Sequence, residues 1–218
     1  MIVTQPDRVL LRQQVAKFAP HLSGKLLDVG GGDGRRYKGI APEVTSCVTL
    51  DMNPDLKPDL VASAEAIPLE DNSIDSVLCT QLLEHVPHPW IVFKEIHRVL
   101  RPGGKALLTV PQLNELHEEP HDYFRYTIFG LRSMAADTGF RVLEVDQRGR
   151  YRCCMAQMRI RRWIDALRPY QNRWAMLLMA LPTLLYTNWA IWRDERDSSP
   201  AVAKHTIGWA LVLEKPAN

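Results

Sequence analysis

Short, almost continuously apolar runs alternate along this chain with longer stretches of helical spacing. Lys25–Val29, Cys47–Leu50, Leu60–Ala62, Ile74–Thr80 and Lys105–Val110 have the length and composition of strands covered on both faces. Pro6 to Phe18 reads as a lead-in helix, with Val9, Leu10, Val15 and Phe18 at helical spacing, Thr4 as cap and Pro6 in the first turn. From Trp90 to Leu100, Val92, Ile96, Val99 and Leu100 oppose Lys94, Glu95 and Arg98, and Arg101-Pro102-Gly103-Gly104 ends the helix. A further helix, Ile128–Thr138, has Thr127 as cap, Gly139 as terminator and an inward stripe of Leu131, Met134, Ala135 and Thr138. Phe140–Gln147 and Thr206–Lys215 read as closing strands. This alternation predicts an α/β, doubly wound, Rossmann-like sheet of about seven strands, with ligands outside the strands' carboxyl ends.

One segment breaks the pattern. After the sixth strand Arg148, Arg150, Arg152, Arg159, Arg161, Arg162, Arg168 and Arg173 stand against the single acid Asp165; Trp174 to Trp192 then carries no ionisable group except Tyr186. As a helix that run would be ~28 Å long, close to a bilayer core. Because 206–215 reads as the last strand of the same sheet, a single crossing would strand it on the wrong side. The expectation is one domain over 1–218 with an apolar helical insertion at about 149–204, which caps an acceptor cleft, lies on an anionic membrane surface, or simply packs against the domain or against a second copy as a homodimer.

The formal charge of +2 does not argue for nucleic acid, and the long uncharged run suits lipid or protein better than phosphate. Cys47, Cys79, Cys153 and Cys154 form no C-x-x-C pair, and the first two sit in strand-like runs where cysteine packs as a small hydrophobe. Asp7, Arg8 and Arg12 interrupt any signal-like core, so a cytoplasmic protein is expected, with the inner membrane face as a peripheral location.

The chemistry gathers at strand ends. Leu26-Leu27-Asp28-Val29 runs into Gly30-Gly31-Gly32-Asp33-Gly34, where Gly30, Gly32 and Gly34 let the backbone take positive φ and approach a ligand. Arg35 and Tyr37 stand where a dinucleotide G-x-G-x-x-G would place its last glycine, so a nicotinamide cofactor is disfavoured. Asp51, ending the second strand before Met52-Asn53-Pro54, is placed to accept two ribose hydroxyls.

The Asp-x-Gly-x-Gly-x-Gly run, Asp51, the Ala62–Asp75 segment, Thr80-Gln81-Leu82-Leu83-Glu84-His85-Val86 and Glu95–Lys105 together resemble the class I S-adenosylmethionine-dependent methyltransferases, of the small-molecule, type 11-like kind. The resemblance covers most of Leu26–Val145. It implies S-adenosyl-L-methionine as cofactor, held by Asp28, Gly30, Gly32, Gly34, Asp51, Met52, Ser63, Ala64, Glu65, Thr80 and Gln81. Ser63 departs from the family, which commonly has an acid there for the adenine amino group.

Methyl transfer from a sulfonium is an in-line displacement, so positioning supplies much of the catalysis and a general base matters only for a proton-bearing acceptor. The loop Pro111–Tyr126 offers His117 or His121 as base, Asp122 to orient an imidazole, and Tyr123, Arg125 and Tyr126 to shape the acceptor pocket, with His85 in reserve. The same residues read equally as hydrogen bonds that hold the loop down. No two histidines stand at i, i+4 on a predicted helix, so no metal is expected. The expected activity is methyl transfer to an O, N or C atom of a small or lipid-linked amphipathic acceptor. The competing expectation is a catalytically silent cofactor-binding subunit that docks a partner or membrane through its insertion.

Overall fold

The computed structural model describes residues 3–34 and 39–217; Arg35 and Tyr37 lie outside them. In chain order come α1 (Pro6–Phe18), β1 (Gly24–Val29), β2 (Val44–Asp51), β3 (Leu60–Val61), β4 (Ile74–Thr80), α2 (Pro89–Val99), β5 (Leu100–Pro111), α3 (Ile128–Asp137) and β6 (Arg141–Arg148). They are followed by α4 (Tyr151–Leu167), α5 (Arg173–Glu195), α6 (Pro200–Ala203) and β7 (Gly208–Glu214). The strands form one seven-stranded sheet in the order β3-β2-β1-β4-β5-β7-β6. The pairs β2·β3, β1·β2, β1·β4 and β4·β5 are parallel. β7 runs antiparallel to β5: Gly103 N–H reaches the Lys215 carbonyl at one end, and Gln112 N–H the Ile207 carbonyl at the other. The α/β class and doubly wound Rossmann-like sheet read from the sequence are what the structure has.

The chain divides into two compact units. The larger comprises 15–111, 116–146 and 209–218 and holds the sheet core. Leu27, Val77, Ala106 and Leu108 fill its centre, Val92, Phe93, Ile96 and Val99 form the buried face of α2, and Leu131 and Ala135 that of α3. Each such valine, leucine, isoleucine or phenylalanine side chain contributes about 1.5–3 kcal/mol by leaving water. Thr127 caps α3 by accepting the Gly130 N–H, as its position in the sequence predicts.

Two local expectations needed correction. β5 begins at Leu100 rather than Lys105, because Leu100 already pairs with Ile74, and Gly103 and Gly104 exchange hydrogen bonds with Lys215. Cys47 is exposed instead of packed: Thr45, Ser46 and Cys47 of β2 face solvent, and among the described residues no helix follows β1 to cover them.

The smaller unit comprises 1–14, 112–115 and 147–208 and contains the helical pair α4–α5. The 149–204 stretch lies wholly within it. Its apolar contacts join Cys153, Cys154 and Ala156 of α4 to Ala190 of α5, and Ile160 and Ile164 to Met179. Two buried charges organise it. Asp194 accepts the N–H groups of Arg150, Arg152 and Cys153 at 2.9–3.0 Å, capping α4 from the end of α5. The fully buried Arg148 donates Nε to Gln14 and Nη1 to Asp7, both at 2.9 Å.

Candidate active site

The turn after β1 is shaped by its glycines. Gly30, Gly32 and Gly34 have φ of 74, 55 and 68°. At Gly30 a Cβ would stand 2.9 Å from Leu82 Cδ1, so a side chain there would have to displace Leu82 as well as tolerate the positive φ. Gly34 packs on β2, where a Cβ would meet Thr49 Cγ2 at 2.7 Å, and does not line the cleft described below. Sequence reasoning passed over Gly31, whose need is steric rather than conformational. A Cβ there would stand 2.3–2.8 Å from the carboxylate atoms of Asp28, which is buried beneath the loop.

Asp51 ends β2 with both carboxylate oxygens fixed. Oδ2 accepts the Gly32 N–H at 3.2 Å and Oδ1 the Asn53 N–H at 2.9 Å, leaving each oxygen a lone pair for a ligand hydroxyl. Gly30, Gly31, Gly32, Asp51 and Thr80 border a cavity of about 200 Å³. Gly30 and Asp51 also border a cleft of about 550 Å³ that continues past Met52 and Ser63–Glu65.

The remaining positions sort by what they touch. Met52 is largely exposed on the cleft rim. Ser63 Oγ accepts the Glu65 N–H at 3.1 Å, so part of its accepting capacity is spent inside the turn. The Glu65 carboxylate accepts the His88 N–H at 3.1 Å, at the start of α2. Ala64 is buried in the cleft wall. Gln81, at φ 51°, bonds Thr109 through its amide and side chain and borders neither cavity.

The far wall comes from the turn after β4 and the loop after β5: Leu82, His85, Val86, Glu118, His121 and Tyr123. Three hydrogen bonds join turn and loop. His85 Nδ1 donates to the His121 carbonyl at 2.6 Å, the Tyr123 N–H to the Glu84 carbonyl at 2.8 Å, and the buried Tyr126 hydroxyl to the Leu83 carbonyl at 2.6 Å. Burial pushes the Tyr126 phenol above its ordinary range, so Tyr126 anchors the loop.

His121 Nδ1 lies 3.1 Å from the Tyr123 hydroxyl, and both line the cleft. His117 does not: its ring meets His85 edge-on at 4.8 Å, and its N–H donates to Asp122 at 3.0 Å. Asp122 takes a bidentate pair from Arg125 at 2.6 and 2.8 Å, and that guanidinium holds its carboxyl down at about 2. His117 Nδ1 lies 3.5 Å from the same carboxylate, beyond good hydrogen-bond geometry. Glu84, His85 and His117 bring a carboxylate oxygen and two ring nitrogens within 4.8 Å of one another, a grouping made by turn and loop that no helical spacing announces.

Residues 27–108 match the family described as "Methyltransferase domain". Over those residues the chain is similar to methyltransferase domains, and its sheet has the fold of the class I methyltransferases. An uncharacterised methyltransferase of Mycobacteroides abscessus is 38% identical in an alignment 99 residues long that covers 38% of this chain and 38% of that protein. The chain therefore spans about two fifths of the length of the curated relatives it matches. The [4+2]-cyclase SpnF superposes with a TM-score of 0.62 at 20% identity, covering 97% of this chain and 82% of that one. Haemonchus contortus phosphoethanolamine N-methyltransferase 2, solved with S-adenosyl-L-methionine, gives 0.58 at 18%, covering 95% and 52%. The glycine turn, Asp51 and the end of β4 all fall within the matched residues.

Proposed function

We propose that the protein is an S-adenosylmethionine-dependent methyltransferase acting on an O, N or C atom of a small or lipid-linked amphipathic acceptor. The observation that carries this reading is the side-chain-free cradle at Gly30–Gly32 beside an Asp51 carboxylate whose two oxygens are already fixed, with Gly30 and Asp51 bordering both the small cavity and the larger cleft. When bound, the cofactor would supply an electrophilic methyl group on sulfur, open to in-line displacement by the acceptor's lone pair. Asp51 would hold the ribose hydroxyls, Gly30–Gly32 would admit the chain of the amino acid, and Met52 with Ser63–Glu65 would border the adenine. Leu82 and Val86 give the cleft an apolar wall beside the polar His121 and Tyr123, which suits an amphipathic acceptor.

Calorimetric titration with S-adenosylmethionine, S-adenosylhomocysteine and NAD tests the cofactor. The two sulfur compounds should bind and NAD should not. Asp51→Ala should weaken S-adenosylhomocysteine about 100-fold, the value of two charge-assisted hydrogen bonds. Binding of NAD, or an Asp51→Ala affinity equal to wild type, would overturn the assignment.

His121 takes the acceptor's proton in this reading. With Nδ1–H donated to the Tyr123 oxygen, Nε2 keeps the lone pair, and the bond from His85 to the His121 carbonyl fixes the residue in place. For a proton-bearing acceptor, His121→Ala should lower kcat by about 10²–10⁴-fold without changing the cofactor Kd. An unchanged kcat in single-turnover assays would remove His121 from the chemistry.

A further inference from the structure

α5 is inside out. Its face toward α4 and the amino-terminal arm carries Met179, Thr183, Thr187, Ala190 and Asp194, all buried. The polar groups on that side are satisfied internally: Thr183 donates to the Met179 carbonyl at 2.7 Å, and Asp194 caps α4. The opposite face carries Trp174, Leu178, Leu181, Leu185 and Trp192, spaced by four, three, four and seven residues. These are exposed by 71, 71, 61, 59 and 46%. A surface helix of a globular protein has the reverse arrangement, and an apolar face this long marks a contact site.

Charge says what covers it. Arg173 lies over the Trp174 ring at 5.4 Å, and Arg193 and Arg196 over Trp192 at 5.8 and 4.5 Å, so a cation and an indole close each end of a stripe ~27 Å long. Between Gln147 and Gly208 ten arginines and Lys204 face four acids; Asp194 and Arg148 are buried, Arg152 is paired with Asp197 at 2.7 Å and Arg161 with Glu115, which still leaves a basic excess of Arg150, Arg159, Arg162, Arg168, Arg173, Arg193, Arg196 and Lys204 over Asp165 and Glu195. Within α5 itself Glu195 is the one exposed acid. A second copy packed antiparallel would set the Arg173 end of one α5 against the Arg193 and Arg196 end of the other, arginine on arginine. Nor does α5 cross a bilayer, although it is long and apolar enough. Asp194 ties it to α4, whose Arg152, Arg159, Arg161 and Arg162 could not enter a hydrocarbon core.

We infer that the outer face of α5 docks in the plane of an anionic lipid surface, with its leucines at the acyl boundary, its tryptophans at headgroup level and its terminal arginines on the headgroup phosphates. This inference stands apart from the methyltransferase reading, since it uses only the α4–α5 unit and needs no cofactor.

Flotation of the full chain with phosphatidylcholine vesicles, with and without phosphatidylglycerol, tests it. The protein should float with the mixed vesicles, with at least tenfold lower recovery on phosphatidylcholine alone, and its tryptophan emission should shift to the blue. Leu178→Glu/Leu185→Glu changes only exposed positions and should abolish flotation while the circular-dichroism melt stays unchanged. Arg173→Gln/Arg196→Gln should weaken binding to the anionic vesicles about thirtyfold, roughly fivefold per charge. Absence of flotation, flotation that survives the glutamates, or a stable dimer in light scattering that seals the face and prevents flotation would each overturn the inference.

Discussion

Gly31→Ala is expected to abolish measurable S-adenosylhomocysteine binding, a loss of more than about 100-fold, although it adds one methyl group and Gly31 is not among the positive-φ glycines. The new Cβ would stand 2.3 Å from Asp28 Cγ and 2.4 Å from Oδ2. Asp28 is only 4% exposed and sits at the end of a strand paired on both sides, so it cannot swing away. The loop must move instead, and it carries the Gly32 N–H that fixes Asp51. Asp28→Ala removes all three atoms that the Cβ would meet. The double variant Gly31→Ala/Asp28→Ala should therefore bind more tightly than Gly31→Ala alone, a coupling of opposite sign to simple additivity. Calorimetry on the four proteins of this cycle reads the effect directly. Wild-type affinity in Gly31→Ala would mean that the cofactor does not lie against this turn.

What the sequence made legible follows from locality. β1, β4, α2 and α3 were readable because their periods, caps and terminators lie within a few residues of one another, as Thr127 on Gly130 illustrates. The positive-φ turn and the strand end at Asp51 were readable because a backbone that only glycine adopts easily, and a short apolar strand, each leave a compositional trace. The need for glycine at 31 left none, since it depends on where the Asp28 side chain points. The cleft wall was half legible: the 117–126 loop showed its chemistry, but only the fold turns His121 and Tyr123 into the cleft and His117 against His85. The basic run after β6 was the least legible stretch. Counted along the chain, Arg148 and Arg152 look like surface charge; in the structure Arg148 is fully buried on Asp7 and Gln14, 141 and 134 positions away, and Arg152 is paired with Asp197.

The second large effect belongs to that stretch. Asp194→Ala should cost about 3–5 kcal/mol, because it strips one buried acceptor from three backbone donors at once. The N–H groups of Arg150, Arg152 and Cys153 are the unpaired first turn of α4, where the helix dipole favours a negative charge, and Asp194 meets all three at 2.9–3.0 Å. Asp194→Asn keeps one carbonyl oxygen and should lose only about half as much. The loss should also be local. Asp194 reaches α4 from the end of α5, so its removal opens the helical pair while the parallel strands keep hydrogen bonds that owe nothing to it. Hydrogen exchange by mass spectrometry should show protection falling across 150–195 and holding in peptides from β1, β4 and β5. Equal loss in both regions would mean that the chain unfolds as a single cooperative body, with Asp194 holding the sheet as firmly as it holds α4.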